Sequence, residues 1–114
     1  QMEIHFDDDS HYTLSYEFLR VHSPSAEVRG HGPGQETLQT GKRKVDILSV
    51  DPVGSYAIQP RFSDGHATGI YAWDYLHELG SRQEQRWQTY FTELREANAS
   101  RLPAISVGQW NPKA

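Results

Sequence analysis

Apolar and polar residues alternate from the first positions of the chain. Met2, Ile4 and Phe6 share one face of the run Met2–Phe6, with Glu3 and His5 on the other, and a period of two predicts a strand. Asp7-Asp8-Asp9-Ser10 reads as a polar turn, and His11–Leu14 as a second short strand closing a hairpin. Tyr16–Arg20 and Ser25–Arg29 read as short helical turns. Gly30–Gly41 contains four glycines and one proline, which predicts a connection rather than an element. Strand character resumes over Lys44–Val50, with Val45, Ile47 and Ser49 on one face and Leu48 and Val50 on the other. Asp51-Pro52-Val53-Gly54 then predicts a turn, and Tyr56–Phe62 a returning strand with Tyr56, Ile58 and Phe62 inward. Pro60 cannot donate to a ladder, so an edge or a bulge is expected there.

Asp64-Gly65 is a turn dipeptide that fixes His66 beside the end of this strand. Ala72–Leu79 reads as a short helix closed by Gly80 at its C′ position, and Ser81-Arg82-Gln83-Glu84 as a capping box. Behind it Trp87, Tyr90, Phe91, Leu94 and Ala97 recur at helical spacing, an amphipathic helix whose stripe is core packing. Ser100–Ala114, with a lone Trp110, reads as a flexible tail. The fold expected is α+β: a small, mostly antiparallel sheet with short helices and a C-terminal amphipathic helix, in one domain over residues 1–99. Within it Ile4–Asp8 followed by Tyr16–Arg20 echoes Pro60–Asp64 followed by Trp73–His77. Each ends a strand in Phe-x-Asp, turns, and starts an aromatic-acid-aromatic-Leu-base helical turn.

Composition narrows the chemistry. The 114 residues carry a formal net charge of −4, which argues against binding a nucleic-acid backbone. There are no cysteines, so disulfides, thiolate nucleophiles and cysteine-ligated zinc or iron–sulfur sites are excluded. No apolar run approaches a membrane span and no signal segment opens the chain. A cytoplasmic bacterial protein with no membrane or nucleic-acid partner is expected.

Candidate catalytic motifs fail one by one. Gly41-Lys42 lacks the rest of a phosphate loop, because Glu36 stands where its first glycine belongs and Arg43 where its hydroxyl residue belongs. No G-x-S-x-G elbow occurs. The expectation is therefore not an enzyme. Six histidines, His5, His11, His22, His31, His66 and His77, show no local metal-binding spacing. A zinc or iron site would need His66 joined by His22, His31 or Glu27.

Phe62–Tyr71 with Trp73, preceded by Pro52–Ala57, resembles the gamma-butyrobetaine hydroxylase-like N-terminal domain, and Leu19–Val28 resembles that family's other block. The resemblance spans about residues 2–80. In the hydroxylases the domain holds a structural zinc through three cysteines and the histidine of the Asp-Gly-His turn. Carried over, the histidine is His66, and the cysteine positions fall on Ser23, Ser25 and Val28, so the zinc site is broken here. The resemblance implies no oxygenase activity for this segment. It implies a non-catalytic accessory or interaction module, linked to iron–sulfur or other metalloprotein systems, with a protein partner or a homodimer. Trp73 and Tyr75 are the aromatics expected at such an interface. The alternative is a metal-binding protein that uses zinc or iron at His66.

Overall fold

The computed structural model describes residues 1–30 and 34–103. Among these residues nine elements follow in the order β1 (Met2–His5), β2 (His11–Leu14), α1 (Tyr16–Val21), α2 (Ala26–Arg29), β3 (Ile47–Val53), β4 (Ala57–Phe62), β5 (Tyr71–Ala72), α3 (Trp73–Ser81) and α4 (Gln83–Glu96). The fold is α+β, with two small antiparallel sheets where the sequence predicts one: β1-β2 and β3-β4-β5. α1 and α2 start on serines. Ser15 Oγ accepts from the Phe18 N–H at 3.1 Å and Ser25 Oγ from the Glu27 N–H at 3.3 Å, which satisfies donors that a helix start leaves free.

The core gathers Leu14 of β2, Phe18 and Leu19 of α1, Phe62 of β4, Tyr71 of β5, and Leu76 and Leu79 of α3. A smaller cluster of Val21, Tyr90 and Leu94 seats α4. Trp87 packs against both clusters and joins them. Truncating any of the fully buried leucines to alanine costs about 2–5 kcal/mol.

Several local expectations change. β3 continues through Asp51-Pro52 to Val53, and the turn moves to Gly54, whose φ of 53° needs glycine. The strand tolerates Pro52 because it lies at the sheet edge, and Tyr56, expected inward, is 60% exposed beside this turn. Gly80 does not end α3 but lies inside it, buried, because the Tyr12 ring covers it. A Cβ at this position would lie 2.2 Å from Tyr12 Cγ. The capping box does not form. Ser81 Oγ donates back to the Glu78 carbonyl at 3.2 Å, and α4 begins at Gln83, its N-cap residue Arg82 making no side-chain cap. Pro60 is buried in β4 opposite Val50, beyond the two residues that pair with β5. The ladder irregularity falls on β3, between Ile47 and Ser49.

The internal echo is a repeated turn. Phe6 N–H donates to Ser10 O (2.9 Å) and Asp9 N–H to Phe6 O (3.1 Å); Phe62 N–H donates to His66 O (2.9 Å) and Gly65 N–H to Phe62 O (3.0 Å). The turn aspartates match too, Asp8 Oδ1 accepting from the Ser10 N–H at 3.0 Å and Asp64 Oδ1 from the His66 N–H at 3.2 Å. Asp9 and Gly65 both take positive φ, 68° and 91°. The contacts made by the two copies are reciprocal. Asp8 of the first turn pairs with His77 on the second copy's helix at 3.0 Å, and Asp64 of the second pairs with Arg20 on the first copy's helix at 2.9 Å.

Past α4, Ser100 O accepts from the Gly41 N–H and Arg101 O from the Arg43 N–H, both at 2.9 Å. The Arg101 guanidinium grips Glu17 with two hydrogen bonds, Nε to Oε2 at 2.8 Å and Nη2 to Oε1 at 2.6 Å. Residues 104–114, Trp110 among them, lie outside the described residues.

Candidate functional site

His66 follows the Asp64-Gly65 turn, where only glycine takes the φ of 91° without strain. Asp64 Oδ2 accepts from Arg20 Nε at 2.9 Å and Lys42 Nζ at 2.6 Å, so the turn is tied to α1 and to the connection before β3. Burial alone would raise the Asp64 carboxyl, but Lys42, the His66 N–H and Arg20 hold its pKa down at about 2. The imidazole is buried, 7% exposed. Its Nε2 lies 2.8 Å from Ser23 Oγ, and its Nδ1 lies 3.4 Å from Glu27 Oε2. Burial lowers the His66 pKa, and Arg20 lowers it further against the opposing pull of Glu27 and Asp64. The ring is therefore held neutral, one nitrogen donating and the other accepting.

Ser23-Pro24-Ser25 lies alongside this turn. Ser25 Oγ shares a hydrogen bond with Thr68 Oγ1 at 2.7 Å, and Ser23 Oγ also accepts from the Ser25 N–H at 3.3 Å. Gly69 closes the site: a Cβ there would lie 2.5 Å from Ser23 Oγ, so the backbone approaches where no side chain fits. Serine, imidazole and carboxylate stand in the order of a nucleophile relay. Ser23, however, is 1% exposed beneath Gly69, with no room for a substrate carbonyl at its oxygen.

Zinc needs four N, O or S donors at about 2.0–2.3 Å. At the positions where the resemblance puts cysteines stand two neutral hydroxyls and the hydrocarbon of Val28, and His66 Nε2 is already paired with Ser23. These residues do not fit zinc. Of the proposed helpers, Glu27 reaches His66. His22 does not take part: its Nδ1 lies 2.8 Å from the Phe18 carbonyl and its ring packs on Phe18. His31 lies outside the described residues. Among the described residues no group of three or more histidines and carboxylates gathers as a metal site, and no helix is long and apolar enough to cross a membrane.

Sequence reasoning misses a second group of residues. Arg29, Tyr75, Glu78, Arg82 and Arg86 line a groove of about 1020 Å³ between the α1–α2 segment and the α3–α4 pair. Glu78, Arg82 and Arg86 recur at intervals of four, and the Arg82 N–H donating to Glu78 O (3.0 Å) and the Arg86 N–H to Arg82 O (2.9 Å) carry that helical spacing across the α3–α4 junction. The expected break at Gly80 hides that relation.

Fold and site together define a small α+β domain built around a glycine-framed histidine turn that closes on a Ser-Pro-Ser segment. The chain belongs to the gamma-butyrobetaine hydroxylase-like N-terminal family, whose model matches residues 1–77. Two proteins with solution NMR structures are similar over nearly the whole chain. One shares 47% identity with a TM-score of 0.76, covering 95% of this chain and 85% of its own. The other shares 48% identity with a TM-score of 0.75, covering 96% and 81%. A crystal structure of a protein of unknown function in the DUF971 family, from Acidithiobacillus ferrooxidans, shares 41% identity with a TM-score of 0.57, covering 68% of this chain and 76% of its own. No curated protein matches the chain.

Proposed function

We propose that this domain is a non-catalytic interaction module that engages a protein through the apolar surface of its three-stranded sheet. One observation carries the reading: Leu48, Val50, Tyr56, Ile70 and Trp73 are all exposed, Leu48 at 66%, and all belong to β3, β5 or the segments next to them. Tyr56 and Trp73 are held together, with the Trp73 N–H donating to Tyr56 O at 3.2 Å and its indole N–H to Ser55 O at 3.1 Å. Several large apolar side chains exposed on and around one sheet mark an interaction surface, and aromatic anchors dominate binding energy there. Of the two aromatics expected at an interface, Trp73 is exposed, whereas Tyr75 is half-buried with its hydroxyl on the His22 carbonyl at 2.5 Å.

His66 supports the surface from inside by fixing the turn between β4 and β5. Iron–sulfur and other metalloproteins are the partner class that the family resemblance implies. The test is association: light scattering across a concentration series, with capture by tagged domain, for the wild type and for Leu48→Asp/Tyr56→Asp. The expected result is association lost by the variant while its melting temperature is kept. Equal association by both proteins, or none by the wild type, overturns the reading.

A further inference from the structure

The groove between α1–α2 and α3–α4 lies apart from the sheet surface and has chemistry of its own. Three guanidinium groups reach it from three places: Arg29 from α2, Arg82 from the junction of α3 and α4, and Arg86 from α4. Arg29 and Arg86 lie over the Tyr75 ring, 4.8 and 5.8 Å from its centroid. The hydrogen bond from Tyr75 to the His22 carbonyl holds that ring in place. Among the described residues the carboxylate paired with these arginines is Glu78, whose Oε1 accepts from Arg86 Nη2 at 2.7 Å. That hydrogen bond, with all three arginines nearby, keeps the Glu78 carboxyl below its usual range.

The Arg86 pairing is incomplete. Nε and Nη2 form one edge of a guanidinium, built to hold two oxygens of one anion. At Arg101 that edge is full, gripping both Glu17 oxygens. At Arg86 only Nη2 is used, and Nε is buried with no partner among the described residues. A buried donor left unmatched is costly, and Glu78 answers half of the edge.

We infer that this groove binds a small organic anion whose carboxylate or phosphate group takes both the Nε and Nη2 hydrogens of Arg86, with Arg29 and Arg82 flanking it. Glu78 is the built-in occupant that the ligand displaces. The groove has the size of a small-molecule site. Glu36 and Glu93 also line it, so with Glu78 the carboxylates match the arginines in number. The attraction for an anion is local to the Arg86 edge, which suits one compact headgroup and not a nucleic-acid backbone.

The test is an NMR titration of the whole chain at low ionic strength, following the Arg86 Nε–H resonance, with inorganic phosphate in one arm and succinate in the other. A saturable millimolar shift in one arm identifies the headgroup as phosphate or carboxylate. Arg86→Lys keeps the charge but loses the edge, and weakens binding about tenfold; Arg82→Gln, at an exposed position, gives a smaller loss. Glu78→Gln removes the competitor and tightens binding several-fold, whereas a merely structural ion pair would show no gain. Each variant's amide spectrum confirms its fold. No saturable shift in either arm, or affinities unchanged by Arg86→Lys and Glu78→Gln, overturns the inference.

Discussion

At His22 the imidazole packs between Phe18 and Tyr90, and burial, with Arg86 nearby, holds its pKa down to about 4 against the pull of the Phe18 carbonyl. Unfolded, the same group titrates near 6.5. Between those values the unfolded chain binds the extra proton, so stability rises with pH across the window. The His22 contribution is complete above pH 6.5 and is lost as pH falls toward 4, on the order of 3 kcal/mol in all. Urea unfolding at pH 7, 6 and 5 measures this slope, and His22→Gln should flatten it. His66, also lowered by burial, adds to the wild-type slope, while the Asp64 contribution is complete above its unfolded value of about 3.9 and is lost only as pH falls from there toward about 2. A second residue-scale expectation concerns the broken zinc set. The triple variant Ser23→Cys/Ser25→Cys/Val28→Cys should take up one zinc beside His66 and melt at a higher temperature with metal than without it. Native mass spectrometry reads the stoichiometry; no bound zinc would mean that Gly69, pressed against position 23, leaves no space for sulfur. The His66 turn was legible because Asp-Gly has a local backbone signature. Its neighbours were legible in part, Ser23 through the family resemblance and Glu27 as a candidate helper; that a serine hydroxyl bonds Nε2 while His22 turns to the Phe18 carbonyl was not, because packing decides it.

Among the elements, Gly80 separates local from tertiary control. Glycine to alanine inside a helix ordinarily gains about 1 kcal/mol. Here the new methyl would enter the Tyr12 ring, 2.2 Å from Cγ, so Gly80→Ala should instead destabilise by about 1–3 kcal/mol, the cost of overpacking; thermal melts check the sign. Asp9, at φ 68°, is the opposite case. Asp9→Gly removes left-handed strain and should be neutral or stabilising by up to about 1 kcal/mol. The strands and α4 were legible because period two and period 3.6 are properties of the chain itself. The end of α3 was not: a glycine after a leucine looks alike as a stop signal and as a seat for a ring, and the ring that decides comes from β2. Likewise Asp51-Pro52 carries turn chemistry, yet pairing with Gln59 and Ile58 of β4 keeps it in a strand.

At the scale of the whole molecule, Arg101 joins the stretch after α4 to α1. Glu17 is 5% exposed, and Arg101→Ala would leave its carboxylate buried without a partner, which costs about 2 kcal/mol or more. Adding Glu17→Gln should recover part of that loss, and a double variant no more stable than Arg101→Ala would contradict the assignment. The reciprocal pairing of the two hairpin–helix copies, Asp8 with His77 and Asp64 with Arg20, has a further consequence. Contacts in which each half gives the other what it receives characterise a symmetric homodimer. Within one polypeptide the two hairpin–helix copies thus brace one another as the halves of a two-fold interface do, each turn held by the other copy's helix. Cleavage between Gly34 and Gln35 should therefore leave two fragments that stay associated on size-exclusion chromatography; fragments that elute apart would contradict the bracing.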